Sequence, residues 1–493
     1  MSTHAAERGL TRRSLLLAGG AGAAALAVAS AGDRVASRLS GLVAPAESPR
    51  LPNYRTRPDL QIPTPRVTTL ESGVSDGLIF VAPYNAPHNA QAGAVIVENT
   101  GEPVWEQPLP HLVTTDFRVQ TFRGQPALTW WQGYITLGHG VGHYVIADSS
   151  YRPLATVNAG NRQAGDLHEF LITTRGTALL TTYAVTERDL RAVRGSARGT
   201  IQDARFQEVD IASGRVLLEW HSLDHIPIEE SYWPLSRDWD YVHVNSIGVD
   251  TDENLLVNSR NTHTIYKLDR RTGAIIWRLG GKHSDFAIEP DAEFAWQHDA
   301  RRQPDGTITV FDNGQKVSRA LSLAVDESAR RVSLKRAYTR RSPTFATSQG
   351  NVQVLPNGNV LVGWGAQPYI SEFSPDGDLL FDAQLATYYV SYRAYRIPWS
   401  GLGAGAPALV TERTPSGTTA YVSWNGDTRV SRWVAMTGTS PSTLSPIGTV
   451  ERTGFETALR LSRSVTALAL RGVDGAGRTV GSTGLVSLDR TPV

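Results

Sequence analysis

The chain of 493 residues has no cysteine and no excess of either charge. The absence of cysteine excludes a disulfide framework, a thiolate metal site and a cysteine nucleophile. The balance of 48 basic against 47 acidic side chains leaves no global field that would attract nucleic acid or an anionic membrane. A long amphipathic segment with helical period is also lacking, which excludes a coiled coil. Any chemistry must therefore use histidine, arginine, tyrosine, carboxylates or amides.

The composition favours an all-β protein. Twelve tryptophans and 45 glycines indicate many short strands and tight turns, and 41% hydrophobic residues provide for an ample core.

The first 31 residues are predicted to be an export signal. A twin-arginine box, TRRSLLL at 11–17, precedes an apolar stretch rich in glycine and alanine, and Ala29-Ser30-Ala31 forms a cleavage site. We therefore expect an extracytoplasmic protein, secreted or held at the cell surface, with no integral membrane anchor after cleavage. Residues 32–70 read as a proline-containing linker.

One strand–turn–strand pattern recurs through the middle of the chain. Clear copies occur at 95–105, 208–220, 266–277 and 370–381, and weaker copies at 144–157 and 323–337. Six copies spaced about 50 to 60 residues apart are typical of β-propeller blades. The sequence thus predicts a six-bladed β-propeller over residues 71–400.

The ends of this region predict how the ring closes. The first repeat, from Asp76, lacks an innermost strand, and a spare strand-like run at 388–399 follows the sixth repeat. We expect the late run to complete the first blade, which removes exposed sheet edges. Residues 405–493 show several short alternating strands and resemble a fibronectin type III β-sandwich.

Three histidines occupy the same position in successive repeats. His168, His243 and His298 each stand where an innermost strand begins, and Asn351 takes this position in the next repeat. Because innermost strands line the propeller channel, these side chains are expected to converge on one axial site. The ends of the second strands should ring the same mouth; these positions hold Trp131, Tyr183, Arg260 and Asn313.

Two chemistries fit the predicted cluster. Neutral imidazoles ligate zinc or copper when they converge closely. Alternatively, one histidine is a nucleophile, a second is the acid or base, and Arg260 or Arg319 holds an anionic group during its transfer. Trp131, Tyr183 and Trp364 are candidates for stacking an aromatic substrate, although tryptophan in a propeller more often packs between blades.

An ordered set of motifs resembles the arylsulfotransferase family, the propeller type that does not use nucleotide sulfate donors. The motifs are DYVHVNSI (240–247), SRNTH (259–263), WRLGG (277–281), WQHDA (296–300), FDNG (311–314) and GNVQ (350–353). The resemblance implies transfer of a sulfuryl group from a phenolic ester to another phenol through a sulfohistidine. By motif match, His243 and His298 resemble the family's active-site histidines, and Arg319 matches its arginine. The family also places a sulfated histidine in a later blade, where this chain has Gln349-Gly350-Asn351.

These observations give one hypothesis and two alternatives. The hypothesis makes His298 the nucleophile and His243 the acid or base, with His168 beside them and no cofactor. An aryl sulfate and a phenol are the partners, and the predicted substrate contacts are Asn245, Asn313, Asn351, Tyr183, Trp131 and Trp364. The first alternative is a non-catalytic extracellular propeller that binds an anionic or aromatic ligand or acts as a scaffold. The second is a quinoprotein, which residues 269–277 resemble, although no calcium ligands or ring-stacking floor are identified.

Overall fold

The computed structural model describes residues 52–84, 91–415, 417–462 and 464–488. The predicted signal peptide lies outside these residues. The described chain is built almost entirely from antiparallel β-sheets, so the all-β prediction is confirmed. No helix within the described ranges is long and apolar enough to cross a membrane.

The described residues from 66 to 397 form six sheets, which we number in chain order. Sheet 1 contains β2 (Leu78–Val81), β3 (Gly93–Val97), β4 (Pro103–Pro108) and β26 (Ala394–Ile397). Sheet 2 contains β5 (Val113–Phe122), β6 (Gln125–Thr136), β7 (His139–Ala147) and β8 (Pro153–Val157). Sheet 3 contains β9 (Phe170–Ile172), β10 (Thr177–Arg188), β11 (Gly199–Asp210) and β12 (Val216–His221).

The remaining three sheets follow the same plan. Sheet 4 contains β13 (Val244–Val249), β14 (Leu255–Ser259), β15 (Thr264–Leu268) and β16 (Ile275–Gly280). Sheet 5 contains β17 (Ala287–Ile288), β18 (His298–Arg302), β19 (Ile308–Asp312), β20 (Arg319–Asp326) and β21 (Arg331–Tyr338). Sheet 6 contains β22 (Asn351–Val354), β23 (Val360–Gly363), β24 (Tyr369–Phe373) and β25 (Leu379–Gln384), and β1 (Arg66–Leu70) pairs with β25 at its outer edge. β1 thus joins a sheet before the predicted boundary at residue 71.

Short helical turns occur only between strands in the described residues. They are one α-helical turn, Ser222–His225, and the 3-10 turns Arg191–Val193, Ile228–Glu230, Pro290–Ala292 and Pro441–Thr443.

Each sheet packs against the next, and the sixth packs against the first. A hydrophobic cluster fills each of these six gaps in the described chain. Along β10, for example, Leu179 enters the gap toward sheet 4, while Ala178 and Leu180 enter the gap toward sheet 2. Since successive side chains of a strand point to opposite faces, a strand buried on both sides needs a continuous apolar run.

The late strand β26 pairs with β2, with Leu78 opposite Ile397 and Val81 opposite Ala394. It also contacts β5 of sheet 2 and β23 of sheet 6. The expected completion of the first sheet by the late run is therefore seen. The predicted six-bladed propeller requires six sheets that pack in a ring, and the described sheets are arranged in this way. The number of blades stays a prediction.

The C-terminal segment forms two further sheets. One contains β27 (Ala408–Thr414), β28 (Gly417–Ser423) and β31 (Glu456–Leu461); the other contains β29 (Arg432–Thr437), β30 (Ser445–Glu451), β32 (Ala467–Val473) and β33 (Thr479–Ser482), with β34 (Val486–Ser487) paired to β32. Residues of both sheets share one core, which includes Val422, Trp433 and Leu470. The fibronectin type III-like assignment stays a prediction.

Candidate active site

The three histidines predicted from the repeats lie at the starts of inner strands in sheets 3, 4 and 5. The ring centroids of His168 and His243 are 4.7 Å apart, with the rings nearly perpendicular at 84°. Tyr392, just before β26, lies between His168 and the third histidine, His298. Its ring centroid is 5.6 Å from that of His168 and 6.5 Å from that of His298. Four sheets therefore contribute to one cluster.

His168 and His243 are each oriented by an aspartate. His168 Nδ1 lies 2.6 Å from Asp166 Oδ2, and His243 Nδ1 lies 2.5 Å from Asp240 Oδ2. An ionised carboxylate only accepts hydrogen bonds, so each Nδ1 carries a proton and each Nε2 keeps its lone pair. Neither Nε2 has a hydrogen-bond partner in the part of the chain that the structure describes. Both rings are therefore held as bases that face the site.

His298 is held differently, because both of its ring nitrogens bond to the protein. Asn313 donates through Nδ2 to main-chain carbonyls of Ala346 and Gln349, so its Oδ1 accepts from His298 Nδ1 at 2.7 Å. The main-chain N–H of Gln349 donates to His298 Nε2 at 3.0 Å. The lone pair of His298 is thus occupied, which disagrees with its predicted role as nucleophile.

A fourth histidine, which the sequence reasoning missed, completes the cluster. The His139 ring lies 4.1 Å from Tyr183, 5.3 Å from His243 and 6.0 Å from His168 between centroids. Its Nε2 is 3.2 Å from Asp240 Oδ2, the same oxygen that His243 contacts. His139 begins β7, which is not an innermost strand, so the repeat comparison does not point to it.

Burial and charge set the protonation of these rings. Burial lowers the pKa of His243 to about 4. Burial also lowers the pKa of His298 well below its usual range, and the Arg260 cation lowers it in addition. Burial also opposes protonation of His139, but the Asp240 and Asp166 carboxylates outweigh it and raise the pKa of that ring. At neutral pH the site therefore holds neutral His243 beside a more basic His139.

Arg260 is a cation without a carboxylate partner. Its guanidinium lies close to the rings of Trp233 and Trp296, 5.1 and 4.9 Å from their centroids. It donates to Asn261 Oδ1 at 2.8 Å and to the Thr347 carbonyl at 3.1 Å. Among the described residues, no carboxylate lies within ion-pair distance of it. Burial lowers its pKa to about 10, so it stays charged at neutral pH. Its main-chain N–H donates to the carbonyl of His243 at 2.9 Å, which places it at the histidine cluster.

Arg319, the other predicted anion clamp, is used in the framework. It forms an ion pair with Asp312 at 2.7 Å and donates to the carbonyls of Asp291 and Glu293. These contacts leave its guanidinium committed to the protein, so the structure gives Arg319 no free donor pair for an anion.

The predicted aromatic contacts separate into two groups. Trp131 and Trp364 are fully buried between sheets, and their indole N–H groups donate to the Gly165 carbonyl and to Ser371 Oγ. This burial fits the packing interpretation of the two tryptophans, and the stacking of a substrate on them stays a prediction. Tyr183 does reach the site, where its hydroxyl donates to the Val244 carbonyl at 2.6 Å.

The predicted asparagines act within the protein. Asn313 positions His298, as described above. Asn245 donates to the Gln297 carbonyl and accepts from Asn258, while Asn351 pairs with the main chain of Ala394 and so holds β26. These contacts hold the three amides to the protein framework, and their role in substrate binding stays a prediction.

A buried ionic network lies beside the histidine cluster. Its members come from five sheets: Asp116, Arg118, Glu169, Asp299, Arg301 and Arg393, with the main chain of Asn245 accepting from Arg393. Glu169 is the centre, since it pairs with Arg118 at 2.7 Å, with Arg393 at 3.3 Å and with Arg301. Because Glu169 follows His168 and Asp299 follows His298, the network holds the starts of the strands that carry the site.

The open question of a metal concerns His139 with either aspartate–histidine pair. One set is His139 with Asp166 and His168, and the other is His139 with Asp240 and His243. In each set the potential ligand atoms lie within 4.8 Å of one another. The carboxylates are already hydrogen-bonded to the histidines, and His298 has no free nitrogen. We therefore assign no metal ligands here.

Local sequence carried a signal for some of the missed residues. Asp166 and Asp240 stand two and three residues before His168 and His243, a spacing that allows a loop carboxylate to reach Nδ1. Trp296 lies in the same short run as His298, whereas Trp233 lies in a loop with no repeat counterpart. His139 and Tyr392 become recognisable only when the sheets are assembled.

Comparison with known protein families shows to which family the chain belongs. The model of the arylsulfotransferase (ASST) family matches residues 118–386, more than half of the chain. The chain belongs to the arylsulfotransferase family. Membership supports an arylsulfotransferase-like transferase function and aryl substrates, and it does not favour the non-catalytic alternative.

No curated protein matches this arylsulfotransferase family member. Among solved structures, a protein of unknown function from Bacteroides caccae is 13% identical, with 65% of this chain and 98% of that chain covered and a TM-score of 0.42. Virginiamycin B lyase from Staphylococcus aureus is 9% identical, with 74% and 97% covered and a TM-score of 0.31. Likenesses at these TM-scores carry no argument about function.

Proposed function

We propose that the protein transfers a sulfuryl group between phenolic compounds through a covalent intermediate on His243. The observation that carries the proposal is the environment of the Arg260 guanidinium. A partly buried guanidinium with no carboxylate at ion-pair distance among the described residues, close to the neutral imidazole of His243, fits an anionic sulfate ester better than a neutral ligand.

His243 has the properties of the nucleophile. Its Nδ1 proton is held by Asp240, its Nε2 lone pair is unengaged by the described protein, and its low pKa keeps the ring neutral at physiological pH. Its side chain is 13% exposed, against 4% for His168. His243 is therefore the more accessible of the two rings, and its nitrogen is a free nucleophile where that of His298 is not.

The chemistry balances in two steps. In the first, Nε2 of His243 bonds to sulfur while the bond between sulfur and the aryl oxygen breaks, and the electron pair leaves with the phenolate, which takes up a proton. In the second, the oxygen of an acceptor phenol bonds to sulfur, its proton is removed, and the bond between nitrogen and sulfur breaks. Arg260 offers charge to the sulfuryl oxygens throughout, where preorganised donors have their largest effect.

Turnover of a chromogenic aryl sulfate by the purified full chain tests this function. We expect release of more than one equivalent of 4-nitrophenol from 4-nitrophenyl sulfate to depend on an added phenol, and the acceptor to appear as its sulfate ester by mass spectrometry. His243→Ala should abolish both, whereas His283→Ala, outside the site, should change neither. Continued release beyond one equivalent per protein without an acceptor, or no release across a panel of aryl sulfates, would contradict the proposal.

Export remains a second part of the proposal. The support is the twin-arginine box at 11–17 and the cleavage site that follows. Replacing Arg12 and Arg13 by lysine should leave the protein inside the cell, as fractionation of the producing cells would detect.

A further inference from the structure

His139 is a buried histidine whose two ring nitrogens make no hydrogen bond within the described residues. It is 8% exposed, and its Nε2 lies at ion-pair distance, 3.2 Å, from Asp240 Oδ2. Nε2 thus faces a carboxylate, whereas Nδ1 faces no acceptor among the residues that the structure describes. A buried N–H without an acceptor is unfavourable, and more so when the group is charged, so this position favours a ligand oxygen.

A glycine-rich hairpin brings His139 into the site. A Cβ at Gly142 would meet the Gln132 carbonyl oxygen at 2.2 Å and the Trp131 ring at 2.8 Å, and a Cβ at Gly140 would meet the same ring at 2.6 Å. Only glycine lets β7 lie this closely on Trp131. The main chain of Gly140 also donates to Asp166 Oδ1 at 2.6 Å, which fixes the start of β7 against the loop that carries His168.

Groups from three neighbouring segments face the His139 ring. They are Asp166 and His168 from the loop before β9, Asp240 and His243 from the loop before β13, and Tyr183 from β10. Two of these are carboxylates, and the histidines are held as hydrogen-bond donors to them. The surroundings therefore favour a proton on His139 while they leave Nε2 of His243 unprotonated.

We propose that His139 is the acid and base of the transfer, giving a proton from Nδ1 to the leaving phenolate and taking one from the acceptor phenol. The inference rests on the proposed sulfuryl transfer. In the first step the aryl oxygen gains the Nδ1 proton as its bond to sulfur breaks. In the second step the acceptor phenol returns a proton to Nδ1 as its oxygen attacks sulfur, so the protein ends each cycle unchanged.

Leaving groups of different basicity separate this role from a structural one. Phenolate is a strong base and needs protonation as it leaves, whereas 4-nitrophenolate is a stable anion and does not. We expect His139→Gln to lower kcat/KM for phenyl sulfate by about 10²-fold or more. The same variant should lower kcat/KM for 4-nitrophenyl sulfate less than about tenfold. His143→Gln, on the same strand but bonded to Gln132 away from the cluster, is the matched control and should leave both values unchanged.

The unaltered protein gives a second reading that does not depend on how a variant folds. For phenyl sulfate, kcat/KM should fall as pH rises above the raised pKa of His139, because the proton to be donated is lost; for 4-nitrophenyl sulfate it should stay level there. His139→Gln should remove this alkaline decline. Equal losses for both substrates, or the same alkaline decline for both, would overturn the role of His139 while leaving the transfer itself intact. If the unaltered protein turns over neither ester, the transferase proposal fails and this inference fails with it.

Discussion

The main-chain N–H of Gln349 donates to Nε2 of His298 across 3.0 Å. Together with the bond from Nδ1 to Asn313, this contact makes His298 a connector between sheet 5 and the loop that leads into sheet 6. The family places its sulfated histidine near that loop, and here the loop instead supplies a donor to a neighbouring histidine. Our proposal therefore assigns the nucleophile to His243, the more exposed of the two rings whose Nε2 has no hydrogen-bond partner among the described residues.

Removing His298 should weaken the fold without removing the intermediate. His298→Ala leaves the Gln349 N–H and Asn313 Oδ1 without their partner, which we expect to cost about 2–3 kcal/mol of unfolding free energy. Denaturant unfolding measures this loss, and intact-mass spectrometry after incubation with an aryl sulfate should still detect a sulfuryl adduct. A folded His298→Ala protein that forms no adduct would return the nucleophile to His298.

The two candidate anion clamps should respond in opposite ways. Arg260→Met should lower kcat/KM for aryl sulfates by about 10²-fold with little loss of stability, because Arg260 has no acidic partner to leave behind. Arg319→Met leaves the buried Asp312 carboxylate unpaired, so it should lower unfolding free energy by a few kcal/mol, roughly 2–4, with kcat/KM near that of the unaltered protein. Kinetics and denaturant unfolding of the two variants side by side test both statements. The reverse pattern would exchange their roles.

The buried ionic network should dominate the stability of the ring. Arg393→Met removes the cation shared by Asp116, Glu169 and Asp299, and an uncompensated buried charge costs about 3–5 kcal/mol. Arg191→Met removes an ion pair that is exposed to solvent, and it should leave the unfolding transition unchanged. Similar unfolding midpoints for the two variants would show that the network is not what holds the strand starts together.

Glu106 should make stability depend on pH. It lies in β4, where its main chain pairs with Asn425 of the C-terminal segment and its Oε2 accepts from the Ile62 N–H. Burial raises its pKa to about 7 from an ordinary value of 4.5. The folded state therefore binds a proton that the unfolded state has lost between these values, so this contribution to stability is present below pH 4.5 and disappears as pH rises through 7.

Glu106→Gln imitates the protonated carboxyl and should remove that part of the pH dependence. Relative to Glu106→Gln, the unaltered protein should lose at most about 3 kcal/mol of unfolding free energy between pH 5 and pH 8.5. Denaturant unfolding at the two pH values measures the difference. Parallel changes in both proteins would show that Glu106 is ionised in the folded state.

The sequence allowed prediction of the sheets because their pattern is local. Alternating apolar runs, turns such as Asp305-Gly306 and Asn357-Gly358, and the missing inner strand of the first repeat all lie in short stretches of chain. The pairing of β2 with β26 follows from the same pattern, although about 310 residues separate them. The incomplete first sheet has an edge of unpaired main-chain groups, and the spare strand can pair with it.

The site was only half predictable, because convergence at the axis is not a local property. Equivalent positions in the repeats identified His168, His243 and His298 as candidates, and in the structure the strands that carry them lie close together. The repeats say nothing of which nitrogen each ring leaves free; that depends on Asp166, Asp240 and the loop at Gln349. His139 lies on β7, the third strand of sheet 2, which reaches the site through close glycine packing, and the repeat pattern does not mark its position.

The position of the sulfuryl group on the protein tests the central claim most directly. The full chain would be incubated with 4-nitrophenyl sulfate without acceptor, digested, and its peptides mapped by tandem mass spectrometry, with His243→Ala and His168→Ala treated in parallel. We predict one added SO3 group on the peptide that carries His243, its disappearance in His243→Ala, and its loss from the unaltered protein when phenol is added. An adduct that persists in His243→Ala, or that maps to His168 or His298, would contradict the account.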